Sequence, residues 1–148
     1  APMIGWARAP GPLLSAAMIR AGNALPNAFV WWDDARKQDL PGPKHVYPRF
    51  SSRSVAATML LGAAVMADAN RKPPACGSLV MITVGGDIAA DNGSARDLVR
   101  AWRARSAPEV LTYEFPPALH LSHDVVDPEQ IGGNPALTYP VLLGFIAP

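Results

Sequence analysis

Leu79-Val-Met-Ile-Thr-Val84 is apolar or β-branched throughout and without alternation. A strand covered on both faces in a parallel sheet has this pattern, whereas a strand with one wet face alternates. Gly85-Gly86 ends the run, and Asp87 follows at once. Over 92–106 the period changes to that of a helix. Ala95, Leu98, Val99 and Trp102 stand at i, i+3, i+4 and i+7, a single stripe suited to face a sheet. Arg96, Arg100, Arg103 and Arg105 fall mostly off that stripe and read as a solvated face. Glu109–Phe115 then reads as a second strand, closed by Pro116-Pro117. Strand, helix and strand in this order predict one right-handed parallel βαβ unit.

The flanks are less regular. Val55, Met59, Leu60, Ala63, Met66 and Ala67 give residues 51–69 a broad apolar face, which predicts a largely buried helix capped by Ser51, Ser52 or Ser54. A last helix is expected over 135–146, with Leu137, Val141, Leu142 and Phe145 apolar. The first 50 residues hold prolines at 2, 10, 12, 26, 41, 43 and 48 and read as largely irregular. Pro12 permits one helix over 12–24. Asn27–Trp32 is a short apolar run closed by Asp33-Asp34, and Lys37–Pro48 has the turn chemistry of a loop. Phe29, Trp31, Trp32, Tyr47 and Phe50 are more aromatics than a bare linker carries. Residues 1–50 are therefore expected to form a lid or cap, or to pack onto the body, and residues 51–148 to form an α/β unit.

Composition narrows the classes. A chain of 148 residues with 49% hydrophobic side chains can bury one core. Thirteen basic against twelve acidic residues leave a net charge of +1, which implies no nucleic-acid partner. Cys76 is the only cysteine, so no intrachain disulfide can form. No apolar run approaches the ~18 residues of a membrane span. The N-terminus lacks the basic segment and apolar core of a signal peptide. Ala1-Pro-Met-Ile-Gly5 has no initiator Met and reads as the continuation of a longer polypeptide.

Chemistry concentrates at two places. Asp87 lies just past the C-terminal end of a buried strand, where open α/β sheets place their ligands. Leu119-His-Leu-Ser-His-Asp-Val-Val-Asp-Pro128 follows the second strand. An acid that orients an imidazole, and an imidazole that moves a proton, are two thirds of a Ser-His-Asp triad. Asp87 and His123 stand in the order Asp then His found in α/β hydrolases. His120 competes with His123 as base. Asp91 competes with Asp87 as acid, but better suits a helix cap. Asp124 and Asp127 are expected to brace the histidine loop. His120, His123 and Asp127 could form part of a metal set, but such a site usually draws a ligand from elsewhere and His45 is the only other histidine. No metal or cofactor is therefore expected.

Tyr47-Pro-Arg-Phe-Ser-Ser-Arg53, Asp87-Ile-Ala-Ala-Asp-Asn92, Tyr113-Glu-Phe-Pro116 and His123-Asp-Val-Val-Asp-Pro128 resemble the C-terminal half of bacterial α/β-hydrolase-fold hydrolases and esterases. The resemblance covers most of the chain and is strongest over 47–130. It implies Asp87 as triad acid, His123 as base and a small ester or related acyl substrate. Trp31, Trp32 and Tyr47 of the lid-like segment are then expected to bound an apolar acyl pocket. It also implies a nucleophile in Gly-x-Ser-x-Gly, and no serine of this chain has glycines at −2 and +2. The nucleophile elbow and oxyanion hole are then expected upstream of Ala1. The partner expected is that N-terminal half, or a second copy of the chain covering an open sheet edge. The rival expectation is a non-catalytic α/β binding or assembly domain.

Overall fold

The computed structural model describes residues 12–37, 47–105 and 109–146. Residues 1–11 and the loop expected over 38–46, with His45, lie outside them. The centre is the expected βαβ unit. Strands β3 (Ser78–Val84) and β4 (Glu109–Phe115) run parallel in register, from Ser78 opposite Glu109 to Val84 opposite Phe115. Helix α3 (Asn92–Arg103) connects them and ends at Arg103, short of the expected 106.

The two faces of this pair explain its unbroken apolar sequence. On one face Leu79 and Met81 of β3 and Val110 of β4 pack with Ala95, Leu98 and Val99 of α3 and with Ala69 of helix α2 (Ser52–Ala69). On the other, Ile82, Val84, Tyr113 and Phe115 pack with Leu121, Val125 and the Leu137 and Val141 side chains of helix α4 (Pro135–Ile146). With both faces covered, alternation has no physical basis. The protein is thus mixed α/β, with helices on both sides of a parallel pair.

Two flanking elements differ from expectation. Helix α1 spans Pro12–Ala24, as Pro12 permits. The short apolar run after it is instead a strand, Phe29–Trp31 (β1), which pairs antiparallel with Arg49–Ser51 (β2). Helix α1 approaches α2 so closely that a Cβ on Gly22 would stand 3.0 Å from the Ala56 Cβ. Helix α2 is less buried than its sequence suggested. Ala56, Met59, Gly62 and Ala69 are buried, whereas Leu60, Ala63 and Ala67 are exposed. The reason is geometric: a helix buries only what its neighbours cover, and α2 packs on α1 and, through Val65, Met66 and Ala69, on the core beside α3.

The cap of α3 is Asp91. Its carboxylate accepts from the Gly93 and Ser94 amides at 2.8 and 3.1 Å and from the Ser94 hydroxyl at 2.6 Å. The Ser94 hydroxyl bond is the main cause holding the Asp91 carboxyl below its ordinary value of 3.8, with the two amides and the Arg96 charge adding to it against partial burial. Asp91→Ala should cost about 0.5–2 kcal/mol at neutral pH. A depressed carboxylate contributes stability above its unfolded pKa and loses it as pH falls through the folded one. The gap between wild type and variant should therefore narrow as pH drops below 3.8. Urea titrations across that range check it. A gap that persists undiminished at the acid end would mean that Asp91 stabilises by packing rather than by charge.

Candidate functional site

Both strands of the parallel pair end at the same level, and the chain leaving each holds one of the expected groups. After Val84 the Gly85 amide donates to the Phe115 carbonyl at 2.8 Å, extending the ladder by one bond. Here the exits crowd together. A Cβ on Gly85 would stand 2.8 Å from Pro117 Cδ and 3.1 Å from the Phe115 carbonyl oxygen, whereas the nearest atom to one on Gly86 is 3.9 Å away. Gly85→Ala should therefore destabilise by roughly 1–3 kcal/mol through overpacking. Gly86→Ala should be near neutral, and the urea midpoints of the two variants give the comparison.

Asp87 opens the loop to α3. Its Oδ1 accepts from the Ala89 and Ala90 amides at 2.7 and 3.0 Å. Its Oδ2 is buried and has no hydrogen-bond partner among the described residues. Asn92, at the start of α3, donates its Nδ2 to the Val84 carbonyl at 2.7 Å, and its Oδ1 is likewise buried and unpartnered. These two residues, with Gly85, Asp91, Arg96 and Glu114, line a small cavity of about 250 Å³. Arg96 reaches Glu114 at 3.3 Å, and Glu114 accepts from the Thr83 hydroxyl across the strands at 3.2 Å. The Asn92 amide tie was missed in the sequence, because an Asn at a helix start reads first as a turn residue.

Past β4 a short 3-10 turn, Pro117–Leu119, ends at His120, which has φ 49° and donates its amide to the Pro117 carbonyl at 3.0 Å. This left-handed conformation is uncommon for a side-chain-bearing residue. It turns Leu121 back into the core beside Val84 and Phe115. His123 follows two residues later and is exposed. Its loop is braced as expected. Asp124 Oδ1 accepts from the Val126 and Asp127 amides at 3.0 and 3.2 Å, and Asp127 Oδ1 from Glu129 at 2.8 Å. Thr138 and Tyr139 of α4 tie the loop from below, through the Val125 and Val126 carbonyls at 2.9 and 2.7 Å.

Asp87 thus follows the end of β3, and His120 and His123 follow the end of β4. In this conformation the imidazole of His123 is not the donor to Asp87 Oδ2, since that oxygen accepts from no described residue. Trp31 is half-buried on β1, and Trp32 and Tyr47 beside the ribbon are 61% and 83% exposed. None of the three lines the cavity next to Asp87. No group of three or more His, Cys, Asp or Glu among the described residues is placed to hold a metal ion.

The chain matches no family model, no curated protein and no solved structure. No helix among the described residues is long and apolar enough to cross a membrane.

Proposed function

We propose that this chain supplies the acid and the base of an acyl hydrolase whose serine nucleophile lies on another segment. The observation that carries the reading is that Asp87 and His123 follow the C-terminal ends of two adjacent parallel strands. The unspent Oδ2 of Asp87 supports it, because a buried carboxylate oxygen without a donor is costly unless one arrives. A shift of the 120–134 loop would bring His123 Nδ1–H to that oxygen. Its Nε2 would then take the serine hydroxyl proton as the oxygen attacks the ester carbonyl. The same proton passes to the leaving alkoxide, and a water repeats the cycle to release the acid. Since no Gly-x-Ser-x-Gly occurs here, residues 1–148 alone should show no turnover of p-nitrophenyl esters above background. Turnover should arise on adding the segment that bears the nucleophile. Robust turnover by the isolated chain would refute the division of labour.

A second reading, a non-catalytic assembly domain, is favoured by a different observation. Among the described residues the parallel sheet has two strands only, and isolated pairs of strands are marginal. Leu60 and Leu61 of α2 and Leu143 and Ile146 of α4 are also exposed, although helices apolar on all sides belong in interiors. Either reading completes the sheet with another segment or a second copy. Only the first ties a reaction to His123.

A further inference from the structure

The β1–β2 ribbon presents aromatic and aliphatic side chains on both of its faces. Its register, Phe29 opposite Ser51, Val30 opposite Phe50 and Trp31 opposite Arg49, sorts the side chains by alternation. One face holds Phe29 and Trp31, with the Arg49 guanidinium 4.7 and 5.6 Å from their ring centres. The other holds Val30 and Phe50, and Trp32 packs on Phe50 at 4.4 Å. Phe29 is 56% exposed, Val30 44%, Trp32 61% and Tyr47 83%. A ribbon docked on a protein surface buries one face and keeps the other polar. Here each face exposes an aromatic or aliphatic side chain, with Arg49 and Ser51 as the polar groups on the Phe29 face. A surface that is itself part apolar and part charged suits this mixture.

We propose that this ribbon is a lipid-surface contact, seating Phe29, Trp32 and Tyr47 in the headgroup region of an anionic bilayer. Trp and Tyr favour that depth, where an apolar ring and a polar edge are both satisfied. The charges around the ribbon fit. Among the described residues Arg36, Lys37, Arg49 and Arg53 are exposed, against Asp33 and Asp34, a net excess of cations for an anionic surface. Asp33 Oδ1 accepts from the Ala35 and Arg36 amides at 2.8 and 3.2 Å, and the Arg53 guanidinium donates to the Leu25 carbonyl. The finger is also fixed at its base. Ser52 exchanges bonds with Ala28 at 2.8 and 3.1 Å, and Asn27 Oδ1 accepts from the Ser51 hydroxyl at 2.6 Å. Insertion would therefore not require the ribbon to fold on the surface. This inference stands apart from the proposed hydrolysis.

The test is sedimentation of the 148-residue chain with vesicles of phosphatidylcholine alone and of phosphatidylcholine mixed with phosphatidylglycerol, with tryptophan emission read in parallel. Binding is expected to the mixed vesicles, with a blue shift, and to weaken with added salt. The pair Trp32→Ser and Tyr47→Ser should lower affinity roughly tenfold or more, since partition scales with buried apolar area. Lys37→Gln with Arg49→Gln should remove the preference for anionic vesicles. These positions are exposed, and circular dichroism verifies the fold. Absence of binding to either vesicle would overturn the proposal, as would binding unchanged in the Trp32/Tyr47 variant. A vesicle-independent dimer that the same variant dissolves would assign the ribbon to a second copy instead.

Discussion

Replacing Phe115 with alanine is expected to cost about 3–5 kcal/mol, the range for truncating a buried aromatic. Phe115 has no exposed surface at all. Its ring meets Tyr113 edge-on with centroids 5.0 Å apart and packs with Val84 and Leu121. The vacated space would be lined by β-strand side chains held by the ladder, so collapse into it is limited. A domain of this size is stable by only about 5–15 kcal/mol, so the variant would sit near the unfolding threshold. Leu111, on the same face of the same strand, is 38% exposed, and Leu111→Ala should cost less than about 1.5 kcal/mol, the lower part of the range for single substitutions. Urea midpoints at neutral pH separate the two. Equal costs would mean that packing on this face is not concentrated at the end of β4, where Phe115 meets Val84 and Leu121. The consequence reaches the site, because Leu121 leads directly into the loop that carries His123.

The βαβ unit was legible because each of its signals is local. An unbroken apolar run, a helical stripe with a capping acid, and a strand closed by two prolines each need only neighbouring residues to be read. The β1–β2 pairing was not legible for the opposite reason. Arg49–Ser51 is three residues long and follows a proline, and its partner lies twenty residues upstream. Ser51 also caps α2, its side chain accepting from the Ser54 amide, and the cap signal masked the strand. Helix α2 has small or apolar side chains on almost every side, so its sequence contains no stripe to say which face packs. That choice is made by its neighbours.

The candidate site divides in the same way. That an acid and a histidine follow successive strands can be read from order alone, and the parallel register adds that both strands end at the same level. Which oxygen of Asp87 is spent could not be read. It depends on the tight turn that aims the Ala89 and Ala90 amides at Oδ1. The same turn determines the clearest test of the acid. In Asp87→Asn the side-chain oxygen must stay where the two amides point, which puts the NH₂ group at the position of Oδ2. A donor would then face the imidazole where an acceptor is needed, favouring the wrong tautomer.

Once the nucleophile-bearing segment is present, Asp87→Asn is therefore expected to lower ester turnover by about 10⁴-fold, as loss of the orienting carboxylate does in serine hydrolases. His123→Ala should lower it at least as far, because the proton then has no carrier, and the residue left would be what binding and the oxyanion hole supply alone. The asparagine keeps both bonds to the backbone, so Asp87→Asn should alter stability little. His120→Ala is the control, placed three residues away on the same edge. His120 sits in the left-handed region and ends the 3-10 turn through its backbone, a strain that arises from the Cβ and that alanine shares with histidine, so His120→Ala should fold and leave proton transfer intact. Turnover measured per folded molecule, with the folded fraction read by circular dichroism, distinguishes the two histidines. A collapse of turnover in His120→Ala with His123→Ala unaffected would move the base to His120. Turnover indifferent to both histidines and to Asp87 would remove this edge from the chemistry altogether.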